Sequence, residues 1–179
     1  EEPATVEMLK NTLVVLNPST NPDGHERFTV WYNSISVGTP DPFSMEKDEP
    51  WSIQGRFNHY RFDMNRDVMT TTQREPQALV RAMLRWHPMV AIDQHGQVGT
   101  YFFPPTAAQL NQNFGKNFSD WMEVYGKANA AAFDKFGWMY YSRDIFDFFG
   151  PFYWDSWPSL NGAIGMTYET DGGGWKGIL

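Results

Sequence analysis

Three short apolar runs are separated by segments of helical periodicity, and this alternation restricts the fold more than any other feature. The runs are Thr12–Leu16, Met89–Ile92 and Ala163–Tyr168, and each is typical of a buried strand. Amphipathic helices are predicted over residues 73–86 and 119–136. Because strands that alternate with helices of a dozen or more residues build layered sheets, the pattern predicts an α/β fold with a mostly parallel sheet.

The ends of both helices carry recognisable signals. Thr72–Glu75 reads as a capping box with Pro76 in the first turn, and Pro88 follows the end of the first helix. For the second helix, Ser119 is the predicted N-cap and Gly137 the C-terminal stop. The predicted apolar stripe of this second helix consists of Trp121, Val124, Tyr125, Ala128, Ala132 and Phe133.

The remaining segments are read from their turn-forming residues. Asn17–Gly24 predicts a turn, and Ile35–Gln54 predicts a long loop that is either functional or a solvated insertion. Trp138–Tyr141 predicts a further short strand. A strand so close to Glu1 indicates a chain that starts partway through a domain, and the glycine-rich residues 172–175 look cut.

Composition excludes several classes of function. The 179 residues suit one domain, and 14 basic against 21 acidic side chains give a net charge of −7. This balance argues against nucleic acid or an anionic membrane as the main partner. No run approaches the roughly 18 apolar residues of a membrane span. The absence of cysteine excludes disulfides, thiol catalysis and cysteine-ligated zinc.

Polar residues cluster next to the predicted elements. Ligands bind beyond the carboxyl ends of parallel strands, so we expect some of these clusters to meet there. Asp93 and His95 are two apart on an extended segment and emerge on one face, where Asp93 either orients a neighbouring group or ends the strand. Taken singly, each cluster is more often a turn or a structural residue. The clusters are Asn21–Gly24, Phe62–Asp67, Asp93–Gly96 and Gly165–Glu169.

In this order the four clusters resemble the zinc carboxypeptidase family, the carboxypeptidase A-like metallopeptidases. That family shows an NPDG turn, a D-x-N-R segment, a histidine closing an apolar strand and a glutamate after a late strand, and the resemblance spans residues 21–169. Gly55–Tyr60, Tyr101–Pro105 and Asp155–Pro158 look like a bacterial branch. The resemblance implies a three-layer α/β/α fold with a mixed, mostly parallel sheet, in which 1–179 forms the central and C-terminal part of one catalytic domain.

The resemblance also implies an activity and a metal. The family hydrolyses the C-terminal peptide bond of peptides that have a free C-terminal carboxylate, with water activated by one zinc ion. Two histidines and a glutamate hold that zinc, and the strand-end histidine corresponds to His95. The other two ligands come from an H-x-x-E segment, but none of the four histidines here precedes a glutamate by three residues. The resemblance therefore implies two ligands in a missing N-terminal segment of the same domain, and a chain that is inactive alone.

Three of the matching residues carry the expected chemistry. Glu169 matches the general base that takes a proton from the attacking water and passes it to the leaving amine. The alternative is a surface glutamate before a glycine-rich loop. Asn65 and Arg66 match the pair that binds the terminal carboxylate, since a guanidinium fork fits a carboxylate with two hydrogen bonds. The alternative is a capped turn in which Arg66 pairs with Asp63 or Asp67.

Other roles follow from the resemblance with looser alignment. Arg56 is the choice for the arginine that stabilises the oxyanion, with Arg27 and Arg61 as alternatives. Tyr153 is the nearest match to a mobile tyrosine that covers the substrate. Asp155 falls near the side-chain specificity pocket, where it would favour substrates ending in Lys or Arg, although it could simply cap a turn.

Two other functions remain open from the sequence. An amidase or deacylase of the same fold would act on peptidoglycan stem peptides or N-acyl amino acids. A non-catalytic carbohydrate-binding module would use the many aromatic residues, and it predicts four tryptophans exposed on one face, namely Trp51, Trp154, Trp157 and Trp175. Peptidases of this kind are commonly exported, so a secreted or periplasmic location is expected.

Overall fold

A computed structural model describes residues 2–36, 38, 54–97, 100–107, 111–115, 117–144, 146 and 148–171. The helices are α1 (Pro3–Leu9), α2 (Pro22–Ile35), α3 (Arg74–Trp86), α4 (Phe118–Phe136) and α5 (Ser156–Leu160), with a 3₁₀ turn at Met64–Arg66. The strands are β1 (Val90–Gln97), β2 (Tyr101–Phe102), β3 (Tyr140–Tyr141) and β4 (Ile164–Asp171). No helix in these ranges is long and apolar enough to cross a membrane.

The four strands form one mixed sheet in the order β1-β4-β2-β3. β1 runs parallel to β4 in a register that starts at Val90 opposite Ile164 and pairs His95 with Glu169. β2 runs antiparallel to β4, with Phe102 opposite Glu169, and parallel to β3. The predicted α/β class is confirmed at this level, and β4 has a neighbouring strand on each side.

Alternation along β4 sends its side chains to two different environments. Met166 packs into a buried cluster with Phe118 and Met122 of α4. Gly165 lies against the loop before α5, where an added Cβ would come within 1.9 Å of the Asp155 carbonyl oxygen. One face of β4 therefore builds the core, and the other carries Thr167 and Glu169 toward polar neighbours.

The prediction of a buried strand at Thr12–Leu16 is wrong. The segment has no regular secondary structure, and Leu13 and Leu16 are 70% and 81% exposed. A strand needs a neighbour that pairs its backbone and covers its side chains, and the described part of the chain supplies none here.

The predicted turn at Asn17–Gly24 is also partly wrong, because its second half starts a helix. Asn21 is the N-cap of α2, and its Oδ1 accepts a hydrogen bond from the Gly24 amide at 3.0 Å. Pro22 occupies the first turn, where its missing N–H costs nothing, and Asp23 complements the helix dipole. Asn, Pro, Asp and Gly are common both in turns and at the start of helices, so this segment did not distinguish a turn from the start of α2.

Helix α3 matches its prediction in extent but not in its cap. Gln73 is the N-cap and makes no side-chain capping bond. The carboxylate of the buried Asp67 performs this task by accepting hydrogen bonds from the amides of Thr72 and Gln73 at 2.9 and 2.7 Å, and from two threonine hydroxyls. Burial alone would raise the pKa of Asp67, but these hydrogen bonds together lower it.

Helix α4 ends at Gly137 as predicted, with a φ of +67°, but its N-cap is Asn117 and its buried face differs. The buried residues are Phe118, Met122 and Gly126, whereas Trp121 is 47% exposed. Close packing determines this face, because a Cβ on Gly126 would lie 2.4 Å from the Pro105 ring. The predicted strand at 138–141 is found as β3. Nearly all of the predicted loop at 35–54, together with residues 172–175, lies outside the described ranges.

We predict that Asp67→Asn lowers the free energy of unfolding by about 1–2 kcal/mol at pH 7, since the carboxylate accepts four hydrogen bonds at the start of α3. The pKa of Asp67 in the folded protein lies below the ordinary pKa of an aspartate, which the unfolded chain keeps. This stabilisation is therefore fully present above the ordinary pKa and is lost as pH falls through the folded one. Urea unfolding at pH 7 and pH 3 measures the difference, which should narrow at pH 3. Glu26→Gln, an exposed change on α2 outside its first turn, is the control, and equal stabilities of Asp67→Asn and wild type at pH 7 would contradict the assignment.

Candidate functional site

The parallel pairing of β1 with β4 creates a polar patch on one face of the sheet. His95 is opposite Glu169, and Asp93 is opposite Thr167. Partners in a parallel register point to the same face, and so do residues two apart along each strand. Four polar side chains near the carboxyl ends of both strands are thereby placed together.

A cavity of about 360 Å³ opens over this patch. It is lined by every residue that the sequence analysis selected for the site, namely Arg56, Asn65, Arg66, His95, Tyr153, Asp155 and Glu169. Its remaining lining residues are Asp93, Gly96, Phe146, Phe148 and Thr167. The sheet supplies the floor, and the segments around Arg56, Asn65 and Tyr153 supply the walls.

His95 is held by Asp93. The imidazole Nε2 lies 2.7 Å from Asp93 Oδ2, and both side chains are mostly buried. The hydrogen bond to Asp93 raises the pKa of His95, burial lowers it, and the charges of Asp93 and Glu169 raise it further. When Nε2 carries the proton for this bond, Nδ1 keeps its lone pair for another partner.

Glu169 is the central carboxylate of the cavity. It sits on the strand between β1 and β2 and is only 5% exposed, so the alternative of a surface glutamate is excluded. Its negative charge contributes to raising the pKa of Tyr141, after the larger effect of burial on that phenol. A buried carboxylate at the cavity floor is a suitable proton acceptor.

Asp63 connects the two cationic walls of the cavity. Its Oδ2 accepts a hydrogen bond from Arg56 Nε at 2.8 Å, and its Oδ1 accepts one from the backbone N–H of Asn65 at 3.0 Å. Asp63 thus caps the 3₁₀ turn that presents Asn65 and Arg66. The sequence alternative had Arg66 paired with Asp63 or Asp67, but Asp63 pairs with Arg56, and Asp67 caps α3.

Arg66 lies against Tyr153. Its guanidinium carbon is 5.0 Å from the centre of the tyrosine ring, a cation–π contact, and its Nη1 donates to the Asn65 carbonyl at 2.8 Å. Asn65 Oδ1 is buried and accepts no hydrogen bond from the described residues. The turn therefore offers a cation and an amide side by side at the cavity wall.

The structure distinguishes between the three candidate arginines. Arg27 lies on α2, and its guanidinium donates to the carbonyls of Gln54, Phe57 and Asn58 at 2.8–3.0 Å. Arg61 has a positive φ of 68° and is exposed. Arg56 alone of the three lines the cavity.

Asp155 is buried, and both of its carboxylate oxygens accept hydrogen bonds within the protein. Oδ1 accepts from the Ser156 amide at 2.5 Å as the N-cap of α5, and Oδ2 accepts from the Thr167 hydroxyl at 2.7 Å. Burial raises the pKa of Asp155. The capping alternative from the sequence is therefore observed, and pairing of Asp155 with a substrate Lys or Arg is disfavoured.

The predicted face of exposed tryptophans is not formed by the described residues. Trp154 is buried, with 7% of its surface exposed, and Trp157 is half-buried. Trp51 and Trp175 lie outside the described ranges.

Thr167, Phe146 and Phe148 were not selected from the sequence, although all three line the cavity. Thr167 had a usable signal, because it lies two residues before Glu169 on the same strand and so shares its face. Nothing in the sequence pointed to the two phenylalanines, because they lie in a segment that has neither helical nor strand periodicity.

Comparisons with protein-family models, with curated proteins and with solved structures find no match to this chain.

The residues of the cavity fit a metal site only in part. A catalytic zinc takes three protein ligands and leaves one position open. His95 offers one nitrogen ligand, but the described ranges contain no group of three histidine, aspartate or glutamate side chains that could hold a metal ion.

We predict that the 179-residue chain at micromolar concentration does not retain one equivalent of zinc, because a single imidazole binds the ion too weakly. Dialysis against micromolar zinc followed by elemental analysis measures the content. A one-to-one zinc content that disappears in His95→Ala would overturn this prediction and indicate a complete site within the chain.

Proposed function

We propose that this chain forms the substrate-binding and proton-transfer part of the active site of a zinc-dependent metallocarboxypeptidase of the carboxypeptidase A-like family. The single observation that supports this proposal is the shared cavity of His95, Glu169, Arg56 and the Asn65–Arg66 turn. These residues come from different loops and strands, and the resemblance implies that they meet at one site.

Substrate binding would depend on Asn65 and Arg66. The guanidinium forms paired hydrogen bonds with the terminal carboxylate of a peptide, and the Asn65 amide adds a donor. Tyr153 already packs on the face of this guanidinium, so the edge of Arg66 is the side left for a ligand. An internal peptide bond has no such carboxylate, which makes this contact the source of exopeptidase specificity.

Proton transfer would depend on Glu169. Its buried carboxylate takes a proton from the attacking water and delivers it to the leaving amine, while Arg56 stabilises the oxyanion that forms on the carbonyl. Zinc, when bound, makes the attacking water more acidic. His95 would be one ligand, and the other two would come from the segment with H-x-x-E that the family resemblance implies.

The carbohydrate-binding alternative is weaker than this proposal. It needs exposed tryptophans on one face, whereas Trp154 is buried, and it gives no reason for a shared cavity of Arg56, His95 and Glu169. Amidase and deacylase substrates such as stem peptides and N-acyl amino acids also end in a carboxylate, and substrate tests on protein with a complete zinc site separate them from peptides.

We predict that the chain binds an N-acetylated dipeptide with a free C-terminus at least about tenfold more tightly than the corresponding dipeptide amide, because only the free acid offers Arg66 a charged acceptor. Arg66→Ala should remove this preference. Titration calorimetry, or amide shifts in an NMR titration, measures both affinities without requiring turnover.

Arg81→Ala is the matched control, since Arg81 is an exposed arginine of α3 away from the cavity. Equal affinity of the wild-type chain for the acid and the amide would refute the carboxylate-binding role of Arg66. Retention of the preference in Arg66→Ala would do the same.

A further inference from the structure

We propose that Asn21, the N-cap of α2, and Arg27 within α2 are positioning residues that hold Arg56 at the cavity wall. This inference rests on the proposed function, because it assigns to the NPDG segment the task of placing the arginine that binds the oxyanion. Apart from the helix cap that Asn21 makes with Gly24, the hydrogen bonds of these two side chains go to backbone carbonyls of residues 54–58.

Asn21 uses both ends of its side chain. Its Oδ1 caps α2 by accepting the Gly24 amide at 3.0 Å. Its Nδ2 donates to the carbonyl of Gly55 at 2.7 Å and to the carbonyl of Arg56 itself at 3.1 Å. One amide therefore connects the first turn of α2 to the backbone of the arginine.

Arg27 holds the same segment from further along the helix. Its Nη1 donates to the carbonyls of Gln54 and Phe57, each at 3.0 Å, and its Nη2 donates to the carbonyl of Asn58 at 2.8 Å. A planar guanidinium can satisfy several carbonyls at fixed angles, which a lysine ammonium cannot reproduce. Together, Asn21 and Arg27 engage the carbonyl oxygen of every residue from 54 to 58.

Gly24 explains why the helix can approach this closely. A Cβ at Gly24 would lie 2.0 Å from the Gly55 carbonyl oxygen and 2.3 Å from Asn21 Nδ2. Any side chain at Gly24 would therefore push the segment away and break the Asn21 contacts. Gly24 lies in a regular helix, where no unusual φ requires glycine. The close approach of residues 55 and 21 is therefore what requires it.

These contacts do more than close a loop, because Arg56 is held at both its backbone and its side chain. Its backbone carbonyl is held by Asn21, and its Nε is held by Asp63 at 2.8 Å. A cation that stabilises a transient oxyanion is effective only if it is already in place when the charge develops. With its backbone free, the half-exposed side chain of Arg56 would sample other positions.

Asn21→Asp tests the proposal, because aspartate keeps the helix cap but replaces the donor by an acceptor beside two carbonyl oxygens. The probes are an N-acetylated amino acid, which presents only a carboxylate, and a phosphonate analogue of an N-acyl dipeptide, which adds a tetrahedral oxyanion. We expect Asn21→Asp and Arg56→Ala each to weaken phosphonate binding at least about tenfold. Binding of the N-acetylated amino acid should change by less than about twofold.

Asn21→Ser is the second variant, since serine also caps helices but cannot reach both carbonyls. Combining Asn21→Asp with Arg56→Ala should weaken phosphonate binding no further than Arg56→Ala alone, since both act through one cation. In both Asn21 variants, amide hydrogen exchange should accelerate in peptides covering residues 54–58 and stay unchanged in α2. Arg81→Ala serves as the unaffected control.

The outcomes separate the two proposals. If wild type binds the phosphonate and both Asn21 variants bind it equally well, the positioning role is overturned while the proposed function stands. Equal weakening of both probes indicates a general structural role and also overturns the positioning role. If wild type binds neither probe, the proposed function fails, and the inference that rests on it fails as well.

Discussion

The parallel pairing of β1 with β4 is the constraint on which the site depends. Its register places His95 beside Glu169 and Asp93 beside Thr167, and a slip by one residue would turn one member of each pair to the opposite face. The backbone of the sheet, rather than a flexible loop, therefore sets the separation of the imidazole and the carboxylate. Burial of Met166 on the other face of β4 favours this register, because a one-residue slip of β4 would turn Met166 out of the core.

The cationic wall is fixed by hydrogen bonds instead of by a sheet. Asp63 holds Arg56 with one oxygen and the turn of Asn65 with the other, while Asn21 and Arg27 hold the backbone around Arg56 from α2. The two parts of the cavity are thus held differently: the sheet fixes His95 and Glu169, and side-chain hydrogen bonds to the backbone fix the segments of Arg56 and Asn65. In such a network, removal of one donor also weakens the neighbouring hydrogen bonds.

The sequence predicts those features that depend on local period and short-range chemistry. The extents of α3 and α4, the α/β class and the face shared by Asp93 and His95 follow from spacing alone. The buried strand at Thr12–Leu16 fails because burial needs a neighbour that local sequence cannot reveal. The prediction of the α3 cap fails for a similar reason, because the capping carboxylate belongs to Asp67, which lies outside the four-residue capping pattern. For the site, the candidate residues were selected through a family resemblance, with Arg56 preferred and Arg27 and Arg61 as alternatives. What the sequence could not show is the long-range contact of Arg27 with the carbonyls of residues 54–58, which separates Arg27 from the cavity.

A crystal structure of the protein in complex with an N-acetylated amino acid would locate the carboxylate-binding site. We expect the carboxylate of this ligand at Asn65 and Arg66, within hydrogen-bond distance of the guanidinium, with Arg56, His95 and Glu169 lining the same cavity. Density for the ligand at another surface, or His95 and Glu169 on opposite faces of the sheet, would contradict this expectation.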